Sequence, residues 1–325
     1  MNSVVDAVRD YFEERNRIWV TGETKAVLKV GRGTSDVPWY RTFRKRISAK
    51  HREMSLREGH VLRSHSNVQI ERILQENDGK SAWVTLRERV TWVYRLAGEY
   101  TVESRLVAHR QHWVLASDEA WSLAADVESG EGTGSKVDRG SRPNDMLPKP
   151  RQLTGSESTH HYDRVRALRY AELWWDGYNP SFAKFESDDC TNFVSQCLLS
   201  GTVRMTDGGS RAVGWWYRFP TGGQSANWSY SWSTANALVQ WLLYRLHAEV
   251  VPQARELKIG DLIFYDWTGN GKFGHSAIVV DFDASGAPLV NAHTDASYHR
   301  HYAYLDSRAW TPNTRYLYVH IPSDV

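Results

Sequence analysis

Cysteine is scarce in this chain. Only Cys190 and Cys197 occur among 325 residues, and seven positions on a helix is roughly 10 Å of rise, too far for a disulfide. A disulfide scaffold is excluded, and the count suits a reducing compartment or simple avoidance of thiols. Long apolar runs are also missing, so no stretch reaches membrane-spanning length. Near the N-terminus Val4, Val5, Val8, Tyr11 and Phe12 recur at helical spacing, while Asp6, Arg9, Asp10, Glu13, Glu14 and Arg15 fill the other faces. That is an amphipathic helix and not the unbroken apolar core of an export signal, so the expectation is a cytoplasmic protein, with non-classical export as the other route. Charge of one sign is lacking as well. Lys and Arg total 40 against 38 Asp and Glu, for a net charge of +2, which makes no case for nucleic acid or a membrane as partner. The basic cluster at 41–52 is diluted by aromatic and polar residues and reads as a solvated face. Glycines at Gly208-Gly209 and Gly222-Gly223 lack the Lys and Ser/Thr of a phosphate loop. His293, His299 and His301 have no carboxylate or cysteine at ligand spacing, so no metal or other cofactor is expected.

What is present divides the chain. Residues 1–127 read as an α+β unit: helices first, then strands at 68–74, 82–96 and 100–115, and a fourth at 121–127. Ala97-Gly98-Glu99 suits a hairpin turn. Val102, Leu106 and Ala108 alternate with Glu103, Arg105 and His109, the pattern of a sheet with one apolar and one solvated face. The order resembles a cystatin-like or nuclear-transport-factor-like cone and carries no catalytic motif, so this half is expected to serve as an accessory domain, docking a protein partner. At 128–159 glycines and prolines interrupt a polar run, the composition of a flexible linker. From 160 to 325 a second α+β domain is expected: a helical stripe of Val165, Leu168, Ala171 and Trp175, a cysteine-bearing helix ending at Gly201, a helix at 235–246, and strands at 261–265, 276–281, 288–292 and 316–321.

Chemistry concentrates in this second half. In Asp188-Asp189-Cys190-Thr191-Asn192-Phe193-Val194-Ser195-Gln196 a thiol opens an apolar helical stripe. The positive end of a helix favours thiolate there, although an adjacent carboxylate opposes it, and the Cys190 backbone N–H can serve an oxyanion. Asp188 or Asp189 is placed to cap that helix. Cys197 falls on the Phe193, Val194, Leu198 stripe and reads as core. His275 follows a Gly-rich turn and opens the strand Ala277-Ile278-Val279-Val280, where it can exchange a proton with Cys190. Asn291 on the next strand is the candidate to orient the imidazole. His293, on the same strand face, and Asp295 compete for that role. Trp215, Trp216, Trp228, Trp232 and Trp267 crowd this half and read mainly as core.

With these residues assembled, about residues 160–322 resemble the Putative amidase domain family of bacteria, which sits with the NlpC-type and CHAP-type members of the papain-like thiol hydrolases. The resemblance rests on Tyr170-Ala171, Tyr178-Asn179, Phe185, the Asp189-to-Gln196 run, Lys258-Ile259-Gly260-Asp261-Leu262-Ile263-Phe264, His275 before an apolar strand, and Val290-Asn291-Ala292. It implies Cys190 as nucleophile, His275 as base and Asn291 as the orienting group. It also implies that Tyr178 donates to the oxyanion or substrate and that Asp189 faces a substrate ammonium. The implied activity is a cysteine amidase or peptidase that cleaves peptide amides, of peptidoglycan type, through an acyl-enzyme. The export signals and wall-binding repeats common in that superfamily are not seen here. The alternative is a peptide- or glycan-binding module on a degenerate thiol-peptidase fold.

Overall fold

The computed structural model describes residues 3–24, 37–76, 79–116, 120–128, 161–185 and 188–325. It divides into two compact units. The first takes the described residues up to 128 together with 282–287 and 295–310; the second takes 161–281, 288–294 and 311–325. Two pieces of the C-terminal half are therefore built into the first unit, a departure from the consecutive division expected of the sequence. The expected linker lies outside the described residues except for Glu128, which ends a strand.

In the first unit, α1 (Val4–Thr21) opens on a capping box: the Ser3 hydroxyl accepts from the Asp6 N–H, and the Asp6 carboxylate accepts from the Ser3 N–H. It closes at Gly22 with φ +75°. Helix α2 (Pro38–Leu56) starts with proline, whose missing N–H costs nothing in a first turn. An antiparallel meander follows: β1 (Gly59–Gln75), β2 (Ser81–Leu96), β3 (Glu99–Leu115) and β4 (Trp121–Glu128). Ala97 and Gly98 both have positive φ and join Leu96 to its partner Glu99 in a two-residue hairpin. A later strand, Ser297–His301, pairs with β3 at Arg105 and Ser104; no period-2 apolar signal announces it in the sequence. Tyr11, Phe12, Ile18 and Trp19 of α1 and Trp39, Tyr40, Phe43 and Ile47 of α2 pack on Val84, Leu86, Val90, Trp92 and Trp113.

The alternation along β3 is inverted relative to expectation. Glu103, Arg105 and His109 are buried, whereas Val102 is 42% exposed and Ala108 is exposed. Counter-charges explain the inversion, because a buried ion persists only when paired. Glu103 accepts from Lys50 Nζ at 2.6 Å, from Tyr94 at 2.8 Å and from Arg105. Asp306 accepts from Arg105 at 2.5 Å and from Arg300 at 3.0 Å. In a second knot, His109 lies 3.0 Å from Asp126 and 3.1 Å from Glu88, and Arg15 lies 3.4 Å from Asp126 and 3.1 Å from Glu128. The basic cluster at 41–52 is thus only partly solvated: Arg41, Arg44, Lys45 and Arg52 are exposed, but Lys50 is fully buried and Arg46 pairs with Glu128. His109, Asp126 and Glu128 bring potential metal ligands together, yet Arg15 and Arg46 already supply the positive charge in that knot.

Burial alone would disfavour a charged His109, but Asp126 and the hydrogen bond to Glu88 outweigh it and hold the ring charged up to about pH 9. The folded value is raised, so the contribution is complete below about 6.5 and is lost as pH rises through about 9. Urea unfolding at pH 6.5 and pH 9.5 should show this unit losing roughly 3 kcal/mol across that window, and His109→Gln should remove most of the difference. An equal pH response in the variant would assign the effect elsewhere.

The second unit contains α3 (Arg164–Trp174) and α4 (Cys190–Ser200), the two-residue pairs β5 (Thr206–Asp207) with β6 (Gly214–Trp215) and β7 (Tyr217–Arg218) with β8 (Asn227–Trp228), then α5 (Tyr230–Ser233) and α6 (Ala235–Tyr244). Strands β9 (Glu249–Val251), β10 (Leu262–Asp266), β11 (His275–Phe282), β12 (Pro288–Ala292) and β14 (Arg315–His320) form its sheet in the order β12-β11-β10-β14-β9; β13 is the Ser297–His301 strand of the first unit. The pairs β10–β11, β10–β14 and β14–β9 are antiparallel. The protein is therefore mixed α/β with a mostly antiparallel sheet. Among the described residues no helix is long and apolar enough to cross a membrane.

Helix α3 buries Ala167 and Ala171 and leaves Val165 54% exposed, so its inner face is turned from the predicted stripe. Two small residues let α4 approach closely, and Gly201 does the same at the other end, since a Cβ there would lie 2.4 Å from Tyr162. Phe193, Val194, Cys197 and Leu198 pack with Trp215, Trp232, Leu238 and Phe264. Trp216 is also buried, while Trp228 and Trp267 are half-buried. The Gly260-Asp261 pair is architectural. Gly260 has φ +88°, a conformation that suits glycine, and Asp261 accepts from Arg164 at 2.7 Å, the Lys258 N–H at 2.7 Å and the Ile321 N–H at 3.0 Å.

Candidate active site

Cys190 is the first residue of α4 and is buried. Its Sγ lies 3.8 Å from the Thr191 hydroxyl, which is in turn 3.2 Å from the Ser276 hydroxyl. Burial pushes the thiol up, but the His275 imidazole, through charge and a hydrogen bond, together with the Ser276 backbone and Thr191, brings it below the ordinary thiol value. Cys197, with burial dominant, is held well above its ordinary value. The two cysteines differ in their surroundings: Cys190 opens α4 beside His275, and Cys197 is packed in the apolar core.

His275 opens β11 opposite Tyr265 of β10 and is buried. The Trp267 ring stacks near it, with centroids 5.8 Å apart at 26°. The turn before it is held by Asp266, whose carboxylate accepts the backbone N–H groups of Thr268, Gly269, Asn270 and Gly271. A glycine-rich segment that reads as flexible in sequence is thus tied to one buried carboxylate.

The polar residues of the cysteine motif serve mainly the framework. Asn192 accepts from Trp232 Nε1 at 2.7 Å and donates to the Ala183 carbonyl and to Asp189. Ser195 donates to the Trp232 carbonyl and accepts from Trp215 Nε1. Gln196 accepts from Tyr170 at 2.5 Å, and Tyr170 accepts from Asn179. Buried polar groups need such partners. Thr191 and Ser276, which touch the sulfur's surroundings, were not singled out from sequence, and a hydroxyl carries no pattern that would have marked them.

Asp189 occupies the N-cap position without making the expected side-chain cap. Its carboxylate instead accepts from the Phe185 N–H at 3.0 Å and Asn192 Nδ2 at 2.9 Å, and lies 2.5 Å from His293 Nδ1. His293 Nε2 lies 2.7 Å from the Trp174 carbonyl, and its ring stacks on Phe193 with centroids 4.1 Å apart. Both His293 ring nitrogens are thereby engaged away from His275.

Asn291 donates to the Ala171 carbonyl at 3.2 Å and to Glu172 at 3.4 Å. The Asp283–Ala287 bond closes the turn between β11 and β12. The Asn291 contacts place it with α3, because β12 packs against that helix. Tyr178 is 44% exposed, its ring in an edge-type contact with His293 at 5.0 Å between centroids, with Lys184 Nζ 4.5 Å from its ring centroid. Asp295 falls in the segment grouped with the first unit.

Residues 161–319 match the family model described as "Putative amidase domain", which points to hydrolysis of amides. The chain is 43% identical over 166 residues to "Uncharacterized protein YhbB" of Bacillus subtilis (strain 168), covering 50% of this chain and 51% of that protein. It thus spans about half the length of the curated relative it matches. Among solved structures it is similar to the "Crystal structure of intermembrane space region of chloroplast protein ARC6" at a TM-score of 0.29 and 9% identity, over 39% of this chain and 96% of that one. A likeness at that level carries no argument.

Proposed function

We propose that the second unit is a cysteine-dependent amidase or peptidase of the papain-like kind, with Cys190 as nucleophile and His275 as general acid and base. The observation that carries this reading is the buried thiol at the start of α4, hydrogen-bonded to His275 and lowered below its ordinary value despite burial. The Cys190 thiolate attacks the amide carbonyl carbon, and the oxyanion takes the N–H at the helix N-terminus. As the C–N bond breaks, the His275 imidazolium gives its proton to the departing amine, leaving a thioester on Cys190. His275 then takes a proton from water, the hydroxide attacks the thioester, and the acid leaves as the thiolate–imidazolium pair is restored.

Tyr178 is the proposed substrate contact, as a phenol at the exposed edge of the Asp189–His293 pair. Asn291 is assigned to holding β12 on α3, on the strength of its hydrogen bonds. A peptide of cell-wall type is the proposed substrate class, supported by the resemblance of the cysteine motif alone. The role of the first unit as a docking domain for a protein partner is likewise proposed from its lack of a catalytic motif.

Iodoacetamide labelling of the native protein at pH 6, mapped by mass spectrometry, tests the thiolate. Cys190 should label at least about tenfold faster than a model thiol, Cys197 should not label, and His275→Ala should remove the advantage. Labelling of Cys190 at the model rate in both proteins would turn the reading toward a binding module.

A further inference from the structure

Asp189 presents a difficulty for the site as proposed. A carboxylate on the residue next to a thiolate opposes its ionisation by like-charge repulsion. The structure answers it through His293. The Trp174 carbonyl can only accept, so His293 Nε2 carries a hydrogen. Nδ1 and the Asp189 carboxylate then share one proton over 2.5 Å. Whichever atom carries that proton, the pair has no net charge. The same two side chains join four pieces of the unit: the end of α3 at Trp174, the approach segment at Phe185, the start of α4, and the residue just beyond β12. Phe193 stacks under the imidazole and Tyr178 meets its edge, so the ring is fixed in its plane. His275, Thr191 and Ser276 face Cys190, and Lys184 lies over the Tyr178 ring.

We propose that His293 is a positioning residue for the amidase reaction, neutralising and clamping Asp189 so that Cys190 can ionise beside it. This rests on Cys190 being the nucleophile and deepens that reading. It also reassigns two residues: Asp189 is engaged by the protein and is not held open for a substrate ammonium, and His293 serves the cysteine and not His275.

The test is the pH profile of Cys190 alkylation in four proteins: wild type, His293→Ala, Asp189→Asn and the double variant. Removing His293 alone leaves Asp189 charged beside the thiol, so the rate at pH 6 should fall about tenfold and the profile should move up by about one unit. In Asp189→Asn the amide can donate to Nδ1 of a neutral His293 while Nε2 still reaches Trp174, so the rate should stay within about threefold of wild type. In the double variant neither charge is present, and most of the loss in His293→Ala should be recovered. A merely structural role predicts the opposite, a double variant as slow as His293→Ala or slower, and that result would overturn the proposal. So would an unchanged profile in His293→Ala. If His293→Ala does not fold, His293→Gln, which retains a donor toward Asp189 without charge, takes its place in the same cycle and is held to the same comparison. Should wild-type Cys190 itself label no faster than a model thiol, the nucleophile reading fails, an outcome distinct from failure of the His293 assignment.

Discussion

Replacing Cys190 with alanine is expected to lower amide hydrolysis by at least about 10³-fold, with little change in fold. The size follows from the mechanism. Without the sulfur there is no thioester, and the oxyanion site and substrate binding alone retain only a small part of the acceleration. Cys190 is small, and alanine leaves the Thr191–Ser276 contact in place. The measurement is release of amine from peptide amides, cell-wall peptides included, followed by mass spectrometry alongside wild type. Cys197→Ala serves as control and should cost stability rather than chemistry, because that thiol lies in the apolar core. An active wild type whose Cys190→Ala form keeps its rate within about tenfold would end the cysteine mechanism, whatever the family match implies.

The second large effect is on stability. Asp306→Ala should destabilise the first unit by about 3–5 kcal/mol, the usual cost of breaking a buried ionic cluster by removing one partner. Asp306 accepts from Arg105 and Arg300 and lies 3.4 Å from Lys50 Nζ, and all four side chains are buried. Burial alone would raise the Asp306 carboxyl, but Arg105, Lys50 and Arg300 outweigh it and hold it well below the ordinary range; Glu103 is lowered to about 2 by Arg105 and Lys50 against the same burial. Alanine leaves three cations with Glu103 and Glu53 alone. Asparagine, which still accepts, should fall between. Urea unfolding of full-length variants measures this, and an Asp306→Ala loss below about 1 kcal/mol would mean that the cluster is solvated in solution. The same reasoning predicts that residues 1–128 expressed alone do not fold cooperatively, because Arg300 and Asp306 come from the distant segment 295–310.

Much of the framework was legible in the sequence because local rules agree with the fold. The N-terminal amphipathic helix, the Ala97-Gly98 hairpin and the apolar runs of β10, β11 and β12 each have a short-range cause, and their elements lie close to where the pattern set them. The place of Cys190 at the start of α4 was legible for the same reason: a thiol after a carboxylate and before an apolar stripe is a local arrangement. What misled was the rule that charge faces water. It holds for isolated charges and fails for Glu103, Arg105 and His109, whose partners lie up to 201 residues away.

The amino-acid sequence by itself determined most of the helices and strands, the place of Cys190 at a helix start and that of Cys197 on an apolar stripe, since all of these depend on neighbours within a few turns or strand steps. Only the tertiary structure decided that β3 turns its charged side inward, that 295–310 belongs with the first unit, and that Asp189 is bound by His293 instead of capping α4. Those choices depend on which distant counter-charge or carbonyl is in reach, and the free energy of a buried ion is decided by that partner rather than by the ion's own position in the chain.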